Sequence, residues 1–141
     1  MALICDTSGI YALYDTRDSA HQAVAAVVEL EPEPLYLPVV LLAELDYLLN
    51  LRLGPDAAQE FIEAVESGDF EIVSLTRTDV TRCRELVVRY RDLALGLADA
   101  TIVAAAERLE LYRLLTLDHR HFRAVRPRNV SHFTLLPADT G

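Results

Sequence analysis

Short apolar runs alternate with amphipathic segments along the whole chain, and that rhythm predicts strands interleaved with helices. ALIC at 2–5 is an unbroken apolar run of strand length, and DTSG after it reads as a turn and helix start. In DSAHQAVAAVVEL at 18–30, Ala23, Val24, Val27 and Val28 fall on one stripe of a 3.6-residue period, which predicts a helix capped by Asp18 or Ser19. EPEP stops that helix, and LYLPV at 35–39 reads as a second strand, with Pro38 opening a helix that runs to about Leu51. GPDAAQEFIEAVES is a further helix, with proline at its start and Gly68 just past its end. FEIVSL reads as a strand, TRTDVTRCRELVVRYRDL as a long helix and DATIVAAAERLE as another, while YRLLTL and HFTLL close the pattern as strands.

Helices interposed between short apolar strands imply a sheet buried on both faces. The expectation is an α/β fold: a three-layer α/β/α domain with a short, mostly parallel central sheet, formed as one domain by residues 1–141. A chain of 141 residues can bury a real core without covalent staples, and 52% hydrophobic with 25% charged residues describes a globular protein. No apolar run approaches the roughly 18 residues of a membrane span. MALICDTSG lacks a positive flank, a long apolar stretch and a small-residue cleavage site, so a cytoplasmic protein with no membrane partner is expected. Cys5 and Cys83 are too few and too far apart for a disulfide framework or a metal knuckle.

Charge divides the chain. Residues 1–75 carry Arg17 and Arg52 against fourteen acids, whereas residues 76–141 carry eleven arginines against eight acids. The net charge of −9 therefore hides a basic second half. Arg120, Arg123, Arg126 and Arg128 follow Asp118 closely, with His119, His121 and His132 nearby. They form either a solvated surface that pairs with the acidic half or a rim that holds phosphates. Lysine is absent, which excludes a P-loop nucleotidase and Schiff-base chemistry. No serine sits in a G-x-S-x-G context. Chemistry is left to carboxylates, a metal and arginine.

Four acids sit where apolar segments begin, end or turn inward: Asp6, Glu44, Asp99 and Asp118. Like charges gathered beside a core raise one another's pKa and lose solvation, an arrangement that a divalent cation would resolve. In a parallel sheet, sites form beyond the carboxyl ends of the strands, where Asp6, Asp99 and Asp118 are placed by the layout. Glu44 has Val40, Leu41, Tyr47 and Leu48 around it on its helix, which points it toward packed surface; Asp46 is separated from it only weakly by periodicity. Each acid also has a plainer reading. Asp6 and Asp99 suit helix N-caps, Asp118 an Asx turn, and Thr7, Ser8 and Thr116 turn or cap hydroxyls.

D-T-S at 6–8, A-E-L-D-Y at 43–47, L-A-D-A at 97–100 and T-L-D-H-R-H-F at 116–122, with R-A-V-R-P and F-T-L-L-P after them, resemble the PIN-domain nucleases. The similarity is to the VapC-type toxins of bacterial type II toxin–antitoxin pairs, and it spans nearly the whole chain in order. The resemblance implies a catalytic and metal-binding quartet of Asp6, Glu44, Asp99 and Asp118, and so favours Glu44 over Asp46. It implies Thr7, Ser8 and Thr116 as supporting residues. Oxygen ligands without cysteine suit Mg²⁺, with Mn²⁺ as the alternative, for hydrolysis of RNA. It further implies a homodimer and a cognate VapB-type antitoxin, joined as a heterotetramer or larger assembly. Two other readings stand beside it: a PIN-type ribonuclease of RNA processing without an antitoxin, and a catalytically silent RNA-binding module.

Overall fold

Five strands, Ile4–Cys5 (β1), Leu35–Pro38 (β2), Phe70–Val73 (β3), Arg113–Leu115 (β4) and Thr134–Leu136 (β5), form one sheet in the computed structural model, which describes residues 2–140. Every pairing is parallel, and the order is β3-β2-β1-β4-β5. The strands carry so few polar residues because both faces of the sheet are covered. Leu3, Ile4, Cys5, Leu114 and Leu115 are fully buried, while Glu71 and Ile72 on the edge strand β3 are exposed. The expected α/β/α architecture is the one observed, with a sheet that is wholly rather than mostly parallel.

The helices are Thr7–Tyr14 (α1), His21–Glu29 (α2), Leu41–Leu53 (α3), Pro55–Ser67 (α4), Arg77–Arg89 (α5), Leu97–Leu109 (α6) and His119–Ala124 (α7). Right-handed crossovers put α1 to α4 on one face of the sheet and α5 and α6 on the other. The observed packing agrees: α1 touches α2 and α3, α3 touches α4, and α6 lies between β1, β2 and α5. That position explains the apolar run ATIVAAA, in which every residue from Ala100 to Ala106 is buried. Arg82 grips Glu107 at 2.7 and 2.9 Å, and Arg108 pairs with Asp79 at 3.1 Å, so two ion pairs lock α5 to α6.

Several boundaries differ from the sequence reading. The helix expected from residue 18 starts at His21 with Ala20 in the cap position; Asp18 instead accepts the Ala20 N–H at 2.8 Å in the preceding turn, and Ser19 is not the cap. Pro38 ends β2 rather than opening α3: it lies opposite Val73, and the next N–H, on Val39, supplies the ladder bond to the Val73 carbonyl. The long helix breaks after Arg89 into a 3-10 turn at Arg91–Leu93. α6 begins at Leu97, so Asp99 is its third residue and not its cap. Helix α7 had no counterpart in the periodicity.

Candidate active site

The strand order reverses between β1 and β4, the switch point at which a doubly wound parallel sheet forms its crevice beyond the strands' carboxyl ends. Asp6 follows β1 directly. It occupies the N-cap position of α1, yet its side chain makes no cap bond. Its Oδ2 instead accepts the hydroxyls of Ser8 at 2.7 Å and Thr116 at 2.8 Å. Those hydroxyls are held in turn by backbone donors: Leu117 N–H reaches Ser8 Oγ and Asp118 N–H reaches Thr116 Oγ1, each at 2.9 Å. Two strands remote in sequence are thereby sewn together around one carboxylate oxygen, while Oδ1 takes neither hydroxyl. Asp6 is only 6% exposed, and burial raises its pKa, opposed by the two hydroxyls and reinforced by the charge of Asp118.

Asp99 enters from the first turn of α6, where the positive end of the helix dipole favours a carboxylate. Its pKa is nonetheless pushed up to about 6, first by burial and then by the charge of Asp6, with Asp118 and Glu44 adding and His121 opposing. Asp118 caps α7: its Oδ1 accepts the His121 N–H at 3.1 Å, and its Oδ2 meets His121 Nδ1 at 2.7 Å. His121 Nε2 lies 2.8 Å from the carbonyl of Leu93. Both imidazole nitrogens thus face acceptors, which favours the doubly protonated ring, and the Asp118 bond is the main reason its pKa is raised.

Asp6, Glu44, Asp99 and Asp118 all line one open cavity of about 430 Å³, together with Thr7 and Ser8. The sequence places Glu44 against packed surface, but it is exposed. Its neighbour across the helix face is the cleft, and helical periodicity identifies a face without saying whether protein or solvent covers it. Asp46 does not line this cavity. Neither do Arg120, Arg123, Arg126 and Arg128. Arg123 pairs with Asp139 and Arg128 with Glu85, both within the basic half of the chain.

The donor set fits a hard divalent cation. Carboxylates predominate, their mutual repulsion is relieved only in part by His121 beside Asp118 and Asp99, and Thr7 Oγ1 is buried without a hydrogen-bond partner among the described residues. Ligand atoms of Asp99, Asp118 and His121 lie within 4.8 Å of one another, so His121 joins the site as a residue the sequence reading left among the basic cluster. The D-x-x-H spacing, one helical turn from cap to third position, was the available signal.

Thr116 is fully buried, and its hydroxyl both donates to Asp6 and accepts from the Asp118 N–H. Thr116→Val is expected to lower Mn²⁺ affinity about 10–100-fold, because Asp6 loses one of its orienting donors and the Asp118 N–H loses its acceptor. Calorimetric Mn²⁺ titration checks this; Thr116→Ser should restore the affinity.

The sequence profile described as PIN domain matches residues 3–126. The chain is 33% identical over 135 residues to Ribonuclease VapC26 of Mycobacterium tuberculosis, covering 96% of this chain and all of that protein. Among solved structures it is similar to the M. tuberculosis protein VapC20, a Sarcin-Ricin loop cleaving toxin, with a TM-score of 0.77 and 23% identity over 83% of this chain and 90% of that one. A toxin–antitoxin complex from Klebsiella pneumoniae superposes with a TM-score of 0.68 and 20% identity, covering 88% and 92% of the two chains. VapBC2 of Rickettsia felis, bound to a promoter DNA fragment, gives 0.66 and 17% identity over 96% and 97%.

Proposed function

The chain belongs to the PIN-domain family, and on that premise we propose that it is a metal-dependent endoribonuclease acting as the toxin of a type II toxin–antitoxin pair. The observation that carries the reading is the convergence of Asp6, Glu44, Asp99 and Asp118 on one cavity at the switch point between β1 and β4. The ribonuclease relative adds RNA as the substrate class.

Asp6 and Asp99 are the central metal ligands in this reading, with Glu44 and Asp118 completing the set. Thr116 and Ser8 hold one oxygen of Asp6 and leave the other for the ligand, and Thr7 Oγ1 supplies a further acceptor beside it. Mg²⁺, with Mn²⁺ as a substitute, supplies an acidified water and neutralises charge on the phosphodiester. Asp118 has both oxygens on His121, so it contributes by orienting and by charge while it keeps that bond. Exposed Glu44 is the carboxylate best placed to take the proton of an attacking water from the solvent side.

A cognate VapB-type antitoxin and a homodimer belong to the same reading. Similarity to toxin–antitoxin complexes supports it, as do the exposed apolar side chains of Tyr47, Leu51 and Ile62 on α3 and α4. No helix among the described residues is long and apolar enough to cross a membrane, and a cytoplasmic site of action fits an RNA target. One domain over residues 1–141 carries the activity.

The test is cleavage of total cellular RNA by the purified protein, with cut ends mapped. New ends are expected with Mg²⁺ and none when a chelator is in excess. Undiminished cutting in chelator would refute the metal-dependent mechanism, and no cutting in any divalent cation would refute the nuclease.

A further inference from the structure

The cleft presents an electrostatic problem that the carboxylates alone do not solve. Asp6, Asp18, Glu44, Asp99 and Asp118 all line it, and RNA brings a negative charge at every nucleotide. A cation at the quartet serves the phosphate being cut; the neighbouring phosphates still meet an acidic wall. Among the described residues Arg52 is the one arginine that lines the cavity, and it is the only arginine besides Arg17 in the first half of the chain.

Its placement is built into α3. Glu44, Leu48 and Arg52 recur every fourth residue and all three line the cleft. Eight residues separate Arg52 from Glu44, about 12 Å along the helix axis, or one to two nucleotides of extended strand. The guanidinium lies over the Tyr11 ring, 5.2 Å from its centroid, and Tyr11 is itself fixed by donating its hydroxyl to Asp15 Oδ2 at 2.8 Å. Among the described residues Arg52 makes no ion pair; Tyr11 engages it through its ring and its hydroxyl, so a pre-oriented fork has its remaining donors for a ligand.

We propose that Arg52, oriented by Tyr11, binds a backbone phosphate flanking the scissile one when single-stranded RNA enters the cleft. The proposal rests on reading the cleft as a ribonuclease site. A different role for the same charge is to relieve repulsion among the carboxylates in the free protein, and the two roles separate under salt. A phosphate contact contributes to the salt dependence of RNA binding, about 0.7 to the log–log slope for a single strand, whereas internal relief of repulsion does not.

The experiment measures fluorescence anisotropy of a labelled pool of random-sequence single-stranded RNA 12-mers with Mn²⁺, in an Asp6→Asn background that prevents turnover, between low and physiological salt. Arg52→Gln is expected to weaken binding about tenfold at low salt and to flatten the slope by about 0.7. Arg52→Lys should keep the slope, and Arg17→Gln, which removes an equal charge from an 82% exposed side chain outside the cavity, should match the parent. Melting curves of each variant establish that it is folded. Equal affinity and slope for Arg52→Gln and the parent overturn the proposal, as does an equal loss in Arg17→Gln, which would mark a non-specific charge effect. Cleavage by the unmodified chain in Mg²⁺ is assayed in parallel: its absence removes the ribonuclease reading, while the binding data still decide whether Arg52 holds a phosphate.

Discussion

Asp99→Asn is expected to abolish RNA cleavage, by about 10³-fold or more, and to raise the melting temperature of the same protein at pH 7. Both effects come from one side chain. In the proposed role of metal ligand, Asp99 would support several kcal/mol of transition-state stabilisation that a neutral amide does not replace. As a half-buried carboxylate beside Asp6 it is held at a pKa of about 6 against an ordinary 3.8. Between those values the folded protein keeps a proton that the unfolded chain has released. Stability therefore falls as pH rises across that window, and the full deficit, about 3 kcal/mol at most, is present above it. Asn carries no charge and escapes the deficit, offset in part by the lost attraction to His121, 3.9 Å away. A gain of a few degrees is expected at pH 7 without divalent cations, and none near pH 4. Adding Mn²⁺ at pH 7 should stabilise the unmodified chain and leave the variant unmoved. Scanning fluorimetry at the two pH values and a cleavage assay check all three, and a variant that melts lower at pH 7 than its parent would contradict the assignment of strain to Asp99.

The second large effect is on folding. Gly9→Ala replaces glycine inside a helix with the best helix former, a change that propensity alone values at about +1 kcal/mol. The structure reverses the sign. A Cβ at Gly9 would stand 2.5 Å from the carbonyl oxygen of Leu115 and 2.9 Å from its carbon, and that backbone belongs to β4, held between β1 and β5. The same carbonyl accepts the Asp6 N–H at 3.0 Å, so neither partner can yield without moving the carboxylate. A net loss of about 2–3 kcal/mol is expected, roughly 5–10 °C in melting temperature, together with weaker Mn²⁺ binding. Gly68→Ala is the comparison: its φ of +92° strains an alanine at the end of α4, but nothing lies near its Cβ. It should cost about 1 kcal/mol and leave Mn²⁺ binding intact. Equal stability of Gly9→Ala and the parent would mean that α1 does not pack this closely on β4.

The strands are legible as short apolar runs, α1 as a helix start after the first of them, and α2 to α6 because each is long enough to show a helical pattern or its caps. Helix α7 has six residues, too few, and it exists through Asp118 and His121, whose cap and ring bond replace the missing length. Pro38 misled because proline opens helices and ends strands with equal ease, and only the register with Val73 decides. The four acids stand out in the sequence by their apolar settings, and the cavity brings them together. What local sequence does not record is which surfaces face each other. The helical pattern points Glu44 at protein, and it lies in the cleft; of the four arginines close after Asp118, Arg123 and Arg128 pair with acids on different elements. Arg52 is an isolated charge in the acidic half of the sequence, and the cavity gives it its neighbours.

The hydroxyl bond between Thr116 and Asp6 joins residues 110 positions apart. A growing chain emerges with Asp6 already made and its counterpart still unsynthesised, and any amino-terminal fragment that stops before β4 lacks Thr116 and Asp118 together. Until β4 slots in beside β1, the carboxylate at the end of β1 has neither the hydroxyl that aims it nor the acid across from it. The candidate site is therefore completed only when β4, in the last third of the sequence, takes its place beside β1.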